Sequence, residues 1–213
     1  FKQIKTLIVM KNKFPLALVF FFLSFYGFSQ DCSTQKVVTD DVICSGQAAS
    51  ITLNSSEVGV TYILRDGTTN IPGQTFTGNG GDLTFNPSPT ITTTYNVFVV
   101  ECGFSYDDLA TVTVNPIPDA NASIISQTIC SGESISNILL SGSLVGTNFN
   151  WTRNNTTFAT GIPASGSGDI SGILYNNTTI PRTTTFTITP ILNGCQGTAI
   201  TATVTVNPQI NIN

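Results

Sequence analysis

Two copies of one sequence unit make up most of this chain, and the duplication constrains its fold more than any other feature. The tetrapeptide ICSG occurs at residues 43–46 and again at 129–132, an offset of 86. Further matches follow in the same order, and the heptapeptide ATVTVNP ends both units, at 110–116 and 202–208. Because each unit has the length of an ordinary domain, the sequence predicts two tandem copies of one fold.

Both units have the residue pattern of β-strands. Apolar residues alternate with Thr, Asn or Ser at period two, which places one face of each strand against a core. Clusters of Gly, Pro and Asn separate the strands at the short spacing typical of a β-sandwich. The predicted strands cover residues 49–53, 60–64, 93–100 and 109–114, and in the second unit 135–140, 148–152, 184–191 and 200–206. We therefore predict an all-β chain with two tandem immunoglobulin-like β-sandwich domains.

The N-terminal segment has the features of an export signal. Two lysines follow Met10, an apolar run covers residues 16–25, and small residues precede a cleavage site at Gln30. The run is too short to cross a hydrocarbon core of about 30 Å comfortably, which argues against a membrane anchor. We therefore predict a signal peptide at residues 1–29, with Met10 as the true start, and no membrane insertion of the mature chain.

Proline-containing junctions and the repeat together predict the domain organisation. The first sandwich covers residues 30–116 and the second 121–208, with a linker at 117–120. Proline has no N–H to donate to a strand ladder and stiffens the chain, so the NPIP sequence at this junction is typical of a linker. Residues 209–213 are expected to begin the equivalent linker to a third repeat.

Charge and residue content exclude several functions for the exported part. All 12 acidic residues follow residue 30, whereas four of the eight basic residues precede it. An acidic chain with scattered positive charges lacks the basic surface that nucleic acid or anionic lipid requires. The chain also contains no histidine, which removes Ser-His-Asp and Cys-His catalysis and the commonest metal ligand. We expect no enzyme, no cofactor and no nucleic-acid partner.

Two glycine-rich turns end in an aspartate, Asp82 in the first unit and Asp169 in the second. Calcium takes six to eight oxygen ligands, generally with several carboxylates, so one aspartate per turn is too few. We expect each aspartate to close its turn by hydrogen bonds to the backbone, and we predict no metal site. The adjacent acids Asp107 and Asp108 are expected to be solvated rather than catalytic.

The order of motifs in the second unit resembles the PKD-like repeats of secreted Bacteroidetes proteins. The unit carries ICSGE, FNWT, GSGD, TFTITP, NGCQG and TVTVNP in that order. The first unit departs from this pattern, because Leu64 replaces the Trp and the sequence ECG at 101–103 replaces NGC. The resemblance implies an immunoglobulin-like sandwich in large cell-surface or secreted proteins, often exported by the type IX system, and it implies no catalytic residues.

Trp151 is the chain's single tryptophan and a candidate for stacking on a sugar ring. It lies on the third strand of its unit, where sandwich domains usually bury a tryptophan in the core. Leu64 takes the matching place in the first unit, as a core position would allow. We favour the core and keep ligand stacking as the alternative.

The five cysteines, Cys32, Cys44, Cys102, Cys130 and Cys195, all follow the signal and suggest disulfides formed in an oxidising compartment. One alternative pairs Cys44 with Cys102 and Cys130 with Cys195, within units. However, an immunoglobulin-like topology places Cys44 and Cys102 at opposite ends of a sandwich, and a disulfide needs Cα atoms within about 7 Å. The other alternative pairs Cys44 with Cys195, brings Cys32 near Cys102 and leaves Cys130 for a further unit. Both remain open from sequence.

Together these features favour a non-catalytic extracellular repeat region, stalk-like or adhesin-like, within a larger secreted or cell-surface protein. The expected route is the Sec pathway to the periplasm and then the outer surface. Expected partners are glycans or other surface proteins, together with further repeats of the same polypeptide. The alternative is an accessory or carbohydrate-binding module of a secreted hydrolase or protease.

Overall fold

The computed structural model describes residues 36–209, which fold into β-strands joined by turns. The predicted signal peptide at residues 1–29, with Met10 and Cys32, lies outside these described residues, as does 210–213. Between residues 36 and 209 the structure contains no helix with the length and apolar character needed to cross a membrane.

The first repeat forms a sandwich of a large and a small sheet. Its strands are β1 (Asp41–Cys44), β2 (Ile51–Leu53), β3 (Thr61–Asp66), β4 (Thr69–Thr77), β5 (Leu83–Phe85), β6 (Thr93–Val99), β7 (Phe104–Ser105) and β8 (Ala110–Asn115). The large sheet has the order β1-β8-β6-β3-β4, and β7 pairs with β6. The small sheet pairs β2 with β5, and β1 runs parallel to β8.

The second repeat has the same large sheet and a more divided second layer. Its strands are β9 (Asn121–Ala122), β10 (Ser126–Cys130), β11 (Leu140–Ser141), β12 (Asn148–Arg153), β13 (Ala159–Thr160), β14 (Ser165–Ser167), β15 (Tyr175–Asn176), β16 (Arg182–Leu192), β17 (Cys195–Gln196) and β18 (Ile200–Asn207). The large sheet has the order β10-β18-β16-β12-β14, with β17 on β16 and β10 parallel to β18. The short ladders β9–β11 and β13–β15 face it together with an isolated bridge between Ile138 and Ile170.

Each sandwich encloses its own hydrophobic core, and period-two alternation builds it. In β6, Tyr95, Val97 and Val99 point inward and are buried, while the residues between them are partly exposed. Ile51 and Phe85 of the small sheet face them and have no exposed surface. Burying one such side chain contributes roughly 1.5–3 kcal/mol, so these positions hold the two sheets together. The predicted all-β fold of two tandem immunoglobulin-like sandwiches is confirmed.

Seven of the eight predicted strands overlap observed ones over most of their length, whereas the strand predicted at residues 135–140 is wrong and shares only Leu140 with an observed strand. Only β11 and the bridge at Ile138 occur in this region. Ile135 and Ile138 are both buried although they are three residues apart, whereas a strand places residues i and i+2 on one face. The Ile135 N–H donates to the Gly172 carbonyl and the Ile138 N–H to the Ile170 carbonyl. The segment therefore packs against the core without forming a continuous ladder.

In the sequence alignment of the two repeats, Arg65 of the first unit is matched with Arg153 of the second. The structure shows that this match is wrong by one residue. Their register against β6 and β16 makes Leu64 and Trp151 equivalent, so Arg65 corresponds to Thr152. Neighbouring residues of a strand point to opposite faces, so Arg65 and Arg153 lie on different sides of their sheets. Arg153 is accordingly 8% exposed, whereas Arg65 is only partly buried.

Arg153 holds in place a loop that the first sandwich lacks. The loop lies between β12 and β14, where the first sandwich closes β3 and β4 by a tight turn. The Arg153 guanidinium donates hydrogen bonds to the carbonyl oxygens of Ala159, Ile162 and Pro163. Burial lowers the pKa of Arg153. Within residues 36–209 the hydrogen-bond acceptors of its guanidinium are carbonyl oxygens, and it forms no ion pair with a carboxylate there.

We predict that Arg153→Met destabilises the second sandwich by about 2–4 kcal/mol, because the buried carbonyls of Ala159 and Ile162 and the partly buried carbonyl of Pro163 lose a charged donor. Chemical denaturation measures this, followed by the fluorescence of Trp151 for the second sandwich and by circular dichroism for both sandwiches. The control is Arg65→Met, which removes a surface stacking contact with Phe98 and is expected to cost less than about 1 kcal/mol. Equal costs for the two variants would contradict the anchoring role of Arg153.

Candidate functional site

A disulfide between Cys44 and Cys195 joins the two sandwiches. The Cα atoms are 5.6 Å apart, although the two residues are separated by 151 positions in the sequence. Cys44 is the last residue of β1 and Cys195 the first of β17. This is the pairing of the between-unit alternative, and the within-unit pairings of Cys44 with Cys102 and of Cys130 with Cys195 are wrong.

Strand direction explains why the within-unit pairing fails. Cys44 lies level with Asn115 and beside the start of β6, because β1 runs parallel to β8 and β8 antiparallel to β6. Cys102 follows the other end of β6, and a strand of that length spans on the order of 20 Å. Cys102 is itself disulfide-bonded, while Cys32, its predicted neighbour, lies outside the described residues.

The backbone around Cys44 forms a fixed socket, defined here as residues 44–47 with Asn115. The Cys44 N–H donates to Gln47 Oε1 at 3.1 Å, and the Gln47 N–H donates to the Cys44 carbonyl at 2.9 Å. The Ser45 N–H donates to the Asn115 carbonyl at 2.9 Å. Gly46 has a φ of +86°, which favours glycine. These bonds fix the backbone conformation at Cys44.

The partner of the socket is a tight turn at residues 193–195, which we call the NGC turn. Asn193 and Gly194 both have positive φ, 49° and 82°, between the paired residues Leu192 and Cys195. Two central residues with positive φ define a type I′ hairpin, for which Asn-Gly is a preferred sequence. The turn therefore presents Cys195 at the end of a rigid hairpin, and the Asn115 side chain donates to the Asn193 carbonyl at 3.5 Å.

The linker lies against the second sandwich at two glycines. A Cβ added to Gly197 would lie 1.8 Å from the carbonyl oxygen of Pro118, and one added to Gly142 would lie 2.6 Å from that of Asp119. Asp119 Oδ1 accepts hydrogen bonds from the N–H and the hydroxyl of Ser143, both at 2.7 Å, which lower its pKa. The linker is thus held close to the hairpin that carries Cys195.

The structure places Trp151 in the core of the second sandwich, with 7% of its surface exposed. Its indole N–H donates to the Gly168 carbonyl at 3.1 Å, and its ring meets Phe186 edge to face at 5.6 Å. A Cβ on Gly166 would lie 2.3 Å from the indole, so only glycine lets the ring lie there. Stacking of a sugar on this indole would require the covering backbone to move away.

The acidic residues singled out from sequence accept hydrogen bonds from the backbone. Asp82 accepts one from the Ser55 N–H at 2.9 Å, and Asp169 one from the Leu140 N–H at 2.7 Å. Asp108 accepts one from the Val38 N–H at 2.8 Å. Within residues 36–209 no cluster of three or more His, Cys, Asp or Glu side chains is arranged to hold a metal ion.

Sequence reasoning missed the residues that shape the junction around the cysteines. Gln47 and its counterpart Glu133 follow the cysteines by three positions, a spacing at which a side chain reaches back to the backbone N–H. This spacing was visible in both repeats. Gly197 and Asn115 carry no comparable signal, since their partners lie at the far side of the junction.

The fold and the junction define a class, tandem immunoglobulin-like β-sandwiches joined by a disulfide. Within that class, residues 127–210 match the family described as PKD-like domain, which covers the second sandwich from β10 onward. The resemblance of the second unit to PKD-like repeats is thereby confirmed, and the first sandwich shares its sheet order. Domains of these kinds are typically non-catalytic and resemble adhesion or extracellular repeat modules.

Solved structures similar to the chain are tandem modules. IG1+IG2 of DIP-gamma are 9% identical with a TM-score of 0.43, over 82% of this chain and 96% of theirs. An I-band fragment of titin is 10% identical with a TM-score of 0.45, over 81% and 64%. Fibronectin(III)-like modules of Clostridium thermocellum CbhA are 10% identical with a TM-score of 0.38, over 80% and 91%. These likenesses concern the fold alone. No curated protein matches the chain in sequence.

We predict that Gly197→Ala hinders formation of the Cys44–Cys195 bond, because the added methyl group meets the backbone carbonyl of Pro118. After refolding in a glutathione buffer, quantification of free thiols by alkylation and mass spectrometry is expected to show several-fold more free Cys195. Gly81→Ala is the matched control, since its Cβ would make only an ordinary 3.4 Å contact with Asn79. Identical thiol contents in the two variants would show that the linker does not position the hairpin.

Proposed function

We propose that the chain is a non-catalytic extracellular repeat region, stalk-like or adhesin-like, of a larger secreted or cell-surface protein. The Cys44–Cys195 bond carries this proposal. Each sandwich already has its own core, so a bond between them adds nothing to the packing within either. Its effect is to fix one sandwich relative to the next. A stalk-like region that holds other domains of a protein at a set distance needs such a constraint.

Disulfide chemistry supports a location outside the cytoplasm. Structural disulfides persist in oxidising compartments such as the periplasm and the cell surface. Together with the signal peptide predicted at residues 1–29, this supports export by the Sec pathway and then transfer to the outer surface. The PKD-like resemblance adds a finer proposal, a Bacteroidetes protein exported by the type IX system.

The outer face of the large sheet in the second sandwich supports a surface role. Thr183 and Thr205 lie opposite each other on β16 and β18 with their hydroxyls 2.9 Å apart, and further threonines continue both rows. Such cross-strand pairs stabilise a sheet without using charge. A neutral hydroxyl surface suits contacts with glycans or other surface proteins, which we propose as partners. The first sandwich has another threonine pair across its large sheet, Thr94 and Thr111, with hydroxyls 3.4 Å apart.

If the bond fixes the two sandwiches, its removal should broaden their range of arrangements. We predict that small-angle scattering of Cys44→Ser/Cys195→Ser gives a wider distribution of interatomic distances than the wild type, with each sandwich still folded by circular dichroism. Cys130→Ser is the matched control, because Cys130 is free and exposed and its loss leaves the junction intact. Identical distributions would contradict a spacing role.

The surface location is tested with antibodies against this chain. Failure of these antibodies to label intact cells would contradict it.

A specific observation favours glycan binding as a second candidate, in which the chain is an accessory or carbohydrate-binding module of a secreted hydrolase or protease. Two clefts of about 320 and 470 Å³ lie along β12, and both include Asn150. Asn148 lines one, and Thr187 and Thr189 line the other. Their amide and hydroxyl groups donate and accept hydrogen bonds as sugars require.

We predict that a glycan bound in these clefts is lost with Asn150→Ala and retained with Asn96→Ala, an asparagine of the first sandwich outside both clefts. A glycan array read with both variants and the wild type measures this. Trp151 also lines the smaller cleft, but only 7% of its surface is exposed. Trp151→Phe tests the stacking alternative separately and is expected to leave binding unchanged. Absence of binding by the wild type to any glycan on the array would reject this second candidate.

A further inference from the structure

We propose that Cys130 forms a second socket of the same kind, and that it binds covalently the NGC turn of another PKD-like module. This inference rests on the proposed repeat function and deepens it by naming the partner. The module is expected to be joined through the Asn-Pro segment that follows β18, as the second sandwich is joined through the Asn-Pro segment that follows β8.

The strands around the two cysteines are equivalent. Cys44 ends β1 and pairs with Asn115, the last residue of β8, and Cys130 ends β10 and pairs with Asn207, the last residue of β18. The serine after each cysteine donates its N–H to the carbonyl of that asparagine, at 2.9 Å in the first sandwich and 3.0 Å in the second. Each cysteine therefore lies beside the point where the chain leaves its sandwich.

The local turn is also the same in the two places. The Cys130 N–H donates to Glu133 Oε2 at 2.9 Å, as the Cys44 N–H donates to Gln47 at 3.1 Å. The return bonds, from the N–H of Glu133 and Gln47 to the cysteine carbonyls, are 3.1 and 2.9 Å. The glycine between them has a φ of +91° in the second sandwich and +86° in the first. The two turns thus have the same backbone hydrogen bonds and the same glycine conformation.

The two sockets differ in occupancy. The first is bonded to the NGC turn, whereas Cys130 is a free and exposed thiol. Cys130 lies in a pocket of about 480 Å³ that Ser131, Asn207 and Pro208 help to line. Asn207 occupies the position that Asn115 has in the first socket. There the Asn115 side chain donates a hydrogen bond to the NGC turn. The second socket therefore has the parts that hold an NGC turn in the first.

The other cysteines of the described residues are engaged. Cys195 is bonded to Cys44, and Cys102 is also in a disulfide. Bonding of Cys130 to an added module takes one thiol from each side, and the two electrons and two protons pass to a disulfide oxidant. With oxidised glutathione as that oxidant, one protein disulfide forms and two glutathione thiols are released.

The test extends the chain by one repeat. A second copy of residues 117–208 is placed directly after Pro208, so that the new junction has the same NPIPDA sequence as the first. After refolding with reduced and oxidised glutathione, peptide mapping without reduction is expected to join Cys130 to the cysteine of the added NGC turn. Alkylation of Cys130 is expected to fall at least tenfold relative to the unextended chain.

A displaced thiol provides the matched control. In the same extended chain, Cys130→Ser/Ser171→Cys moves the exposed thiol to another exposed site of the second sandwich. In this variant the cysteine of the added NGC turn is expected to stay free. If it bonds to the cysteine at position 171 as completely as it bonds to Cys130 in the parent chain, the proposal is overturned. The Cys44–Cys195 peptide is an internal reference. If it forms while Cys130 stays free, the inference fails and the proposed function stands; if it is missing, the proposed function fails as well.

A second arm does not depend on folding of the added repeat. The unextended chain is mixed with a peptide of residues 190–198, which has one cysteine and the NGC sequence. Oxidised glutathione is added at the same concentration as the peptide, and it serves both as the oxidant and as the competing partner. Mass spectrometry is expected to show Cys130 bonded mainly to the peptide, and bonding mainly to glutathione would overturn the proposal. Disulfide-linked dimers through two Cys130 residues would overturn it too, because they would identify a second copy as the partner.

Discussion

The parallel pairing of the first strand with the last is the constraint on which the junction depends. It occurs in both sandwiches, as β1 beside β8 and β10 beside β18. Parallel strands end at the same edge of a sheet, so the cysteine that closes the first strand lies beside the exit of the chain. The next sandwich must begin there, and its hairpin turn reaches the cysteine without a long connection. Topology thus places Cys44 and Cys195 together.

Most of the fold could be predicted because the strands of the large sheets alternate regularly between core and solvent. In β6 from Tyr95 onward, and in β16 from Thr184 to Pro190, every second residue is buried and the residues between are exposed or partly exposed, so the period is unambiguous. The second layer and the edge strand of the first large sheet were less predictable. Ile135 and Ile138 are held by separate long-range bonds, and the edge strand β4 contains Pro72 and Gly73, which interrupt any pattern. Tertiary contacts decide such segments, and local periodicity does not contain them.

The candidate site was predictable to the level of two alternatives. The length of β6 argued against pairing Cys44 with Cys102, because a strand separates its ends by more than a disulfide spans. The supporting residues could not be found in the same way. Gly197 contacts the backbone of the linker, and Arg153 binds the carbonyls of a loop. Both contacts depend on how other segments of the chain pack against these residues, which the local sequence does not show. A one-residue shift in aligning the repeats was enough to hide the face on which Arg153 lies.

The disulfide also determines how the chain carries tension. A pull along the polypeptide enters at Cys44, crosses to Cys195 through the sulfur atoms, and leaves beyond it. The stretch that lies between them, residues 45–194, is bypassed, so the hydrogen bonds of most strands in both sandwiches carry none of the pull. Fully extended, that stretch would measure on the order of 500 Å. This length stays folded away while the bond is oxidised, so a chemical reductant rather than force decides when the region lengthens.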